Sequence, residues 1–427
     1  MTVGIGIAGA GTIGGALVRR LIDERAAVVA KTGLDLEVRA VAVGDLAKPR
    51  PFTVPDGVMT DRPLDLIDDP RIDLIVELIG GTGIAGDLVM GALRAGKPVV
   101  TANKELVAAR GPALWAAAEA AGADLLFEAA VGGGIPIIRP LSETLAGERI
   151  VRVLGIVNGT TNYILSRMAD DGATYADALA AAQGLGYAEP DPTADVSGAD
   201  ATSKATILAG LAFGAWIDSA AVHREGIEGI RRADIGFAAD LGYVIKLLAV
   251  AERTADGVSV RVHPAMVPVR HPLASIRGAT NAVFIEGGAV GELLLAGPGA
   301  GRGPTTTAVL GDVIDAARGV LAHARVTPRI KIEPADAADF GSIATKWYIR
   351  LEVEDRPGVL AAIAAAFGDH GVSIKSVRQE GRGDRATVLV VTHRAPEARQ
   401  RAAVAAIAGL DVVAEVGAVF RVESDEA

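Results

Sequence analysis

The chain is 427 residues long, 50% hydrophobic and 22% charged, with a formal net charge of −10. That length exceeds one ordinary core and predicts two to three domains, while the acidic balance excludes phosphate-backbone binding, which needs a basic footprint, as the main task. The absence of cysteine excludes a disulfide framework, a thiolate metal site and any capture of an aldehyde as a thiohemiacetal, and a small metabolite is the expected partner.

The N-terminus, MTVGIGIAGAGTIGGALVRR, lacks the basic n-region of a signal peptide. Residues 205–217 (ATILAGLAFGAWI) come nearest to a membrane span, but they end at Asp218, short of the roughly 18 apolar residues required. A cytoplasmic protein is expected, with neither membrane nor nucleic acid among its partners.

In chain order, VGIGIA (3–8) reads as a strand and GALVRRLIDERA (15–26) has helical spacing. LEVRAVAV (36–43) and DLIVELIG (73–80) read as strands, DLVMGALRAG (87–96) as a helix and KPVVTAN (97–103) as a strand. Such alternation predicts an α/β domain with a parallel, doubly wound sheet. From residue 124 an α+β pattern replaces it. Strands with glycine breaks are expected at 124–138, 149–165 and 258–267, and helices at 174–184, 197–217 and 234–252. An amphipathic helix at 303–324 is expected to return to the first domain. Residues 326–345 lose periodicity and read as a linker. Beyond it, strands at 348–354, 372–381, 386–393 and 412–422 and helices at 357–371 and 396–409 follow a βαββαβ order, a compact ferredoxin-like module. The expected domains are 1–130, completed by 303–330, then 131–302, and 346–427 after the linker.

GAGTIG places Gly9, Gly11 and Gly14 in G-x-G-x-x-G spacing between the first strand and the first helix. There the glycines allow a tight turn, close backbone approach to a pyrophosphate and close helix packing, and the helix start supplies N–H donors. In a chain of 52 glycines the motif alone is weak; its position makes it a dinucleotide site of Rossmann type, with Thr12 and Ile13 inside the turn. Asp45, after the second strand, is the candidate for the adenosine ribose, although residues 24–36 look like an insertion that delays it. Lys48 and Arg50 follow closely and suit a 2′-phosphate instead, so both NAD and NADP stay open.

Two lysines stand out. Asn103 and Lys104 end the strand in KPVVTANK, and ligands of open α/β sheets bind beyond such ends. In AEPDPTADVSGADATSK (188–204), Ser197 and Asp200 have capping-box spacing, and Lys204 falls one turn after Asp200 on the face marked by Ile207, Leu208 and Leu211. An ordinary surface ion pair predicts both charges on the polar face. An ammonium on the apolar face needs partners or a lowered pKa, and a lysine so tuned serves as a general acid or base. Glu189, Asp191 and Asp195 approach the same helix after Gly186 and Tyr187 and suit the ammonium of an amino acid, with surface solvation the plainer reading for Asp191.

TANKELVA (101–108), GTTNYIL (159–165), GYAEPDPTADVSGADATSK (186–204) and GPGAGRGPT (297–305) occur in an order that resembles homoserine dehydrogenase across essentially the whole chain, and DRPGVL (355–360) resembles ACT domains. The resemblance implies NAD(P)-linked interconversion of L-aspartate 4-semialdehyde and L-homoserine, on the route to threonine and methionine. It implies Lys204 as proton donor, Lys104 as second site lysine, and Glu189, Asp195 and Asp200 at the amino-acid end with Gly186 and Tyr187 shaping the pocket. Gly303 is implied near the cofactor. A monovalent cation, sodium, is implied at Glu128, Val131, Gly133 and Ile135. The ACT module implies an amino-acid effector, threonine, at Asp355, Pro357, Gly358 and Ile374, and a homodimer or homotetramer is implied for the whole. Two positions depart from the family pattern: Gly44 where some relatives carry a basic residue, and Ala296 where many carry an aromatic. A different amino-acid oxidoreductase and a non-enzymatic metabolite sensor remain as alternatives at this point.

Overall fold

The computed structural model describes residues 2–328 and 330–423; Met1, Arg329 and Ser424–Ala427, which fall within the expected domains and linker, lie outside the described residues. The chain divides into two compact units. One holds residues up to Val153, Ser203–Ala220 and Asn281–Ala335, and the other Leu154–Thr202, Ala221–Thr280 and the chain from Asp336 on. Among the described residues no helix is long and apolar enough to cross a membrane.

The first part alternates as expected: β1 (Thr2–Ala8), α1 (Thr12–Asp23), α2 (Arg25–Thr32), β2 (Asp35–Ala42), β3 (Met59–Thr60), α3 (Asp65–Asp68), β4 (Leu74–Glu77), α4 (Ile84–Arg94), β5 (Val99–Thr101), α5 (Lys104–Ala121) and β6 (Leu125–Leu126). The six strands form one parallel sheet of order β3-β2-β1-β4-β5-β6. The order reverses between β1 and β4, which opens a crevice at their carboxyl ends. The strands read as continuous apolar runs because both faces are covered. Residues 24–36 are no loose insertion: α2 fills them and ends at Gly33, whose φ of +74° closes the helix.

The middle of the chain contains β7 (Ile150–Ile156), α6 (Gly159–Asp170), α7 (Tyr175–Gly184), α8 (Thr193–Val196), α9 (Ala199–Phe213), β8 (Ala215–Ile217), β9 (His223–Arg224), α10 (Arg232–Asp240), β10 (Tyr243–Thr254), β11 (Gly257–Pro268), β12 (Thr280–Gly287), β13 (Gly291–Pro298) and α11 (Arg302–Ala322). Val309, Val313, Ala316 and Ala317 of α11 join the core of β1, β2 and β4, so the helix does return to the nucleotide-type sheet.

Four expectations here are corrected. The strand expected at 124–138 stops at Leu126, and a 3-10 turn (Glu128–Ala130) and a glycine loop replace it. The strand expected through 165 stops at Ile156, because the Asn158 side chain accepts from Thr161 N at 2.9 Å and starts α6 instead. Of the helix expected at 234–252, only α10 forms. Gly242, at φ +80°, turns the chain into β10, whose seven consecutive buried residues hid its strand character. The helix expected at 197–217 begins after Gly198 and ends at Gly214, both at positive φ, so Ser197 closes the α8 turn rather than capping α9.

The segment read as a linker is held down: Val326 N and Thr327 N both donate to the buried Asp124 carboxylate, and β14 (Glu333–Ala335) pairs with β8. The C-terminal module then follows the expected order: β15 (Ala344–Thr345), β16 (Trp347–Glu354), α12 (Val359–Asp369), β17 (Ile374–Arg382), β18 (Arg385–Thr392), β19 (Ala395–Pro396), α13 (Glu397–Ala408) and β20 (Val413–Val422). Its sheet is antiparallel, in the order β20-β16-β18-β17, and its core includes Ile349, Leu351, Phe367 and Ile407. Within the second unit, β20 also pairs in parallel with β11 (Ala265↔Arg421, Met266↔Val422), extending the β10–β11 hairpin into the module.

Candidate active site

In the first unit the glycine turn has the geometry its spacing predicts. Gly9 sits at φ +99°, and a Cβ there would lie 2.5 Å from Leu78 O. At Gly14 a Cβ would lie 1.9 Å from Gly9 O, so turn and helix meet only as glycine on glycine. Gly11 faces open space within 4 Å. It is the N-cap of α1 with no side-chain cap, and Thr12 beside it is exposed while Ile13 is half-buried. An uncapped helix start with its backbone laid open fits a pyrophosphate.

Beyond β4 and β5, one connected set of hydrogen bonds fixes the strand ends. The fully buried Glu77 carboxylate accepts from Ile79 N (2.7 Å), Gly80 N (3.0 Å) and Thr101 Oγ1 (2.6 Å). Thr101 Oγ1 accepts from Asn103 N (3.0 Å), and Asn103 Nδ2 donates to Gly81 O (2.7 Å). Asn103 Oδ1 caps α5 by accepting from Leu106 N at 3.1 Å. Lys104, half-buried, is therefore the first residue of a helix whose start is pinned on the strand-end loop. Sequence reasoning found Asn103 and Lys104 but missed Glu77; an acid closing the apolar run LIVE was the available signal.

Asp45 lies three residues past β2, where its carboxylate accepts from Ala47 N (2.8 Å). Arg50 folds back onto Asp45 O (2.6 Å) and Lys48 O (2.7 Å). The side chains proposed for ribose and 2′-phosphate thus share one exposed loop.

Gly303, the second residue of α11, has nothing within 4 Å of where a Cβ would stand. The loop before it packs on the expected cation loop: Gly134 N donates to Pro298 O (3.0 Å), and a Cβ at Gly133 would lie 2.3 Å from Gly299 O. The Glu128 carboxylate accepts from Ile137 N (2.6 Å), Ile138 N (2.8 Å) and Arg139 N (3.1 Å), so it closes the glycine loop. Among the described residues no group of three or more His, Asp or Glu is placed to hold a metal ion. What Glu128, Val131, Gly133 and Ile135 offer a monovalent cation is chiefly backbone carbonyls.

In the second unit the acids converge. Asn158 Nδ2 donates to Asp195 Oδ1 at 2.7 Å and to Asp200 Oδ2 at 2.9 Å. Thr160 Oγ1 donates to Tyr187 O (2.7 Å), and the Tyr163 and Tyr187 rings lie 5.0 Å apart. The stretches GTTNYIL and GYAEPDPTADVSGAD, distant in sequence, are thereby one structural feature. Gly186, at φ +74°, closes α7, with its N–H donating to Gln183 O and the Tyr187 N–H donating to Ala182 O. Glu189 stands exposed on the same loop. Asp191 is occupied locally: its carboxylate accepts from Thr193 Oγ1 and N, and these bonds hold it below the usual carboxylate range. Asn158, which the sequence reading passed over as part of a strand, is the residue that unites the pair.

Asp200 and, one turn on, Lys204 are both half-buried on α9. The single apolar stripe expected around Lys204 is not there, because Ala205 to Leu211 are buried on every side of the helix. A further lysine, Lys246 of β10, is buried; burial, reinforced by the Arg277 charge, lowers its ammonium to about 8. Its Nζ donates to Asn162 Oδ1 (2.8 Å) and Ile276 O, so it braces the turn that Asn162 also holds through Gly278 O and Thr280 O.

In the C-terminal module, Asp355 and Gly358 (φ +94°) flank Pro357 on the turn between β16 and α12. Gln379 Nε2 donates to Asp355 Oδ1 at 3.1 Å, and Ile374 begins β17 opposite Thr392.

Comparison with known proteins matches residues 9–128 to the homoserine dehydrogenase NAD-binding domain, 136–314 to the homoserine dehydrogenase family model and 347–411 to the ACT domain. Homoserine dehydrogenase of Corynebacterium glutamicum is 46% identical over 428 residues, covering 99% of this chain and 96% of that protein. The structure of a homoserine dehydrogenase from Thiobacillus denitrificans superposes with a TM-score of 0.91 at 42% identity, over 99% of each chain. A hyperthermophilic archaeal homoserine dehydrogenase, solved in complex with NADPH, superposes with a TM-score of 0.63 at 28% identity, over 77% of this chain and all of that one.

Proposed function

Since the chain belongs to the homoserine dehydrogenase family of NAD(P)-dependent oxidoreductases, we propose how its side chains divide the interconversion of L-aspartate 4-semialdehyde and L-homoserine. Asp195 and Asp200 hold the ammonium of the amino acid, with Glu189 on the approach and Gly186 and Tyr187 shaping the wall. The observation that carries this reading is the Asn158 amide spanning both carboxylates, at 2.7 and 2.9 Å. Two acids held within reach of one amide form a cradle for a cation, and Asp200 stands one turn before Lys204, the proton donor of this reading.

The nicotinamide, when bound, gives or takes the hydride at the carbonyl carbon. Lys204 protonates the carbonyl oxygen in the reduction and takes the proton back from the hydroxyl in the oxidation. Lys104, oriented through Asn103, favours the developing alkoxide by its charge. Gly9, Gly11, Thr12, Ile13, Gly14 and Gly303 receive the dinucleotide, and the cation loop at 131–135, with sodium as its ion, braces the Gly303 loop from behind. Hydride and proton transfer need no covalent nucleophile, in agreement with the lack of cysteine. The ACT domain takes an amino-acid effector at Asp355, Pro357, Gly358 and Ile374, for which threonine is our candidate. We also place the enzyme in the cytoplasm as a homodimer or homotetramer, a reading supported by the family.

Steady-state oxidation of L-homoserine with NAD and with NADP, each with and without L-threonine, tests the reading. Turnover with at least one nucleotide is expected, slowed by threonine. Activity on another amino acid but not on homoserine would overturn the substrate, and threonine without effect on rate or oligomeric state would remove it as effector.

A further inference from the structure

Arg421 of β20 is 3% exposed. Its Nε and Nη2 donate to the two oxygens of Glu397, at 3.1 and 3.0 Å, and its remaining Nη1 donates to Glu225 Oε2. The guanidinium also lies over the Trp347 ring, 5.2 Å from its centroid. Glu225 lies outside the ACT module, just after β9, and its other oxygen is 2.8 Å from His223 Nε2. A planar fork bound on three sides has little freedom, so the Glu225 carboxylate is held in one place by a residue of the module.

Glu225 opens a segment that carries its position to the acids. Its N–H donates to Val262 O at 2.8 Å, and the next residue passes so near α8 that a Cβ at Gly226 would lie 2.5 Å from Val196 O. Ile227 N then donates to Val196 O at 2.9 Å. On the other side of the same break, a Cβ at Gly198 would lie 3.1 Å from Val262 Cγ1 and 3.3 Å from Arg224 Cγ. The break between α8 and α9 is therefore seated on residues 224–227. Asp195 lies within α8 before the break and Asp200 in the first turn of α9 after it, both bound to Asn158.

We propose that Arg421 and Glu225 are positioning residues through which the ACT module sets the placement of Asp195 and Asp200. The proposal rests on the assignment of those acids to the substrate's amino-acid end. The linkage is made of direct contacts and hydrogen bonds within one compact unit, with an ion pair at the module's end and a backbone bond at the acids' end.

The test is a kinetic comparison in the full-length enzyme of Glu225→Gln, Arg421→Gln, the double variant and Gly226→Ala, with Asp195→Asn as reference. Glu225→Gln, Arg421→Gln and Gly226→Ala are each expected to raise the KM for homoserine about fivefold or more, with the nucleotide KM within about twofold. The double variant is expected to match the more affected single rather than the product of the two. Gly226→Ala presses on the Glu228 carboxylate and on Val196 O without touching Arg421, and the isosteric Glu225→Gln, at a half-exposed side chain, keeps the proposal testable if Arg421→Gln fails to fold. A raised homoserine KM in Asp195→Asn, with unchanged values in the other variants, would overturn the proposal alone. An unchanged value in Asp195→Asn would overturn the reading of the acids and the proposal with it. Proportional loss against both substrates would show the junction to be merely structural and would also overturn it.

Discussion

At the scale of single residues, the glycine turn separates packing from binding. A methyl group at Gly14 meets a backbone oxygen at 1.9 Å, whereas one at Gly11 meets nothing of the protein. Gly14→Ala is thus expected to lower Tm sharply or prevent folding. Gly11→Ala is expected to keep Tm within a few degrees, since an exposed change away from contacts costs about 0.5 kcal/mol or less, and to raise the nucleotide KM about tenfold or more. Thermal melts beside nucleotide titrations check both, and equal behaviour of the two variants would contradict the geometry. The spacing of these glycines was legible in the sequence because the physics behind it is local. Asn158 and Glu77 were not, because their work is done with partners far along the chain: Asp195 lies 37 residues away from Asn158, and Thr101 lies 24 from Glu77.

At the scale of elements, the ends of β4 and β5 are one hydrogen-bonded assembly. The fully buried Glu77 carboxylate receives three donors, and a glutamine amide, with one accepting oxygen, cannot accept all three in the same geometry. Glu77→Gln turns an amide NH2 toward at least one of these donors, a cost of about 1–3 kcal/mol for each buried group left unsatisfied. We expect a lower Tm and a higher nucleotide KM, together with a reduced kcat because Asn103 and the start of α5 lean on the same loop; an unchanged Tm would show that the network carries no weight. Helices with one polar face were readable from the sequence, as α1, α12 and α13 show, and a short buried strand such as β1 was readable as an apolar run closed by glycine. Longer elements buried all round were not. β10 has no alternation to betray a strand, and α9 has no polar face against which the phase of Lys204 could be judged. The lysine was singled out by a helical phase that the packing does not share, while two of the acids named with it, Asp195 and Asp200, do share the Asn158 amide.

At the scale of the molecule, the ACT module is joined to the rest of the second unit by a shared sheet edge and by two charge pairs: the buried Arg421 with the half-exposed Glu225, and the buried Arg350 Nε with Asp234 at 2.7 Å. Partial burial would raise the Glu225 carboxyl, but the bond to His223 and the Arg421 charge outweigh it and hold it at about 2, below the usual 4.5. A carboxyl lowered on folding stabilises above its unfolded pKa, and that contribution is lost as the pH falls through the folded value. The Tm advantage of the wild type over Glu225→Gln is therefore expected to be constant above about pH 5.5, to shrink below 4.5 and to vanish near 2; an advantage that persists in acid would contradict the ion pair. The proposed chemistry requires the lysine that follows the acids to do the proton work. The most direct measurement is kcat for homoserine oxidation by Lys204→Ala, with nucleotide binding measured on the same sample. A fall of at least about 100-fold with nucleotide affinity retained is expected, and turnover equal to the wild type would contradict proton transfer by Lys204.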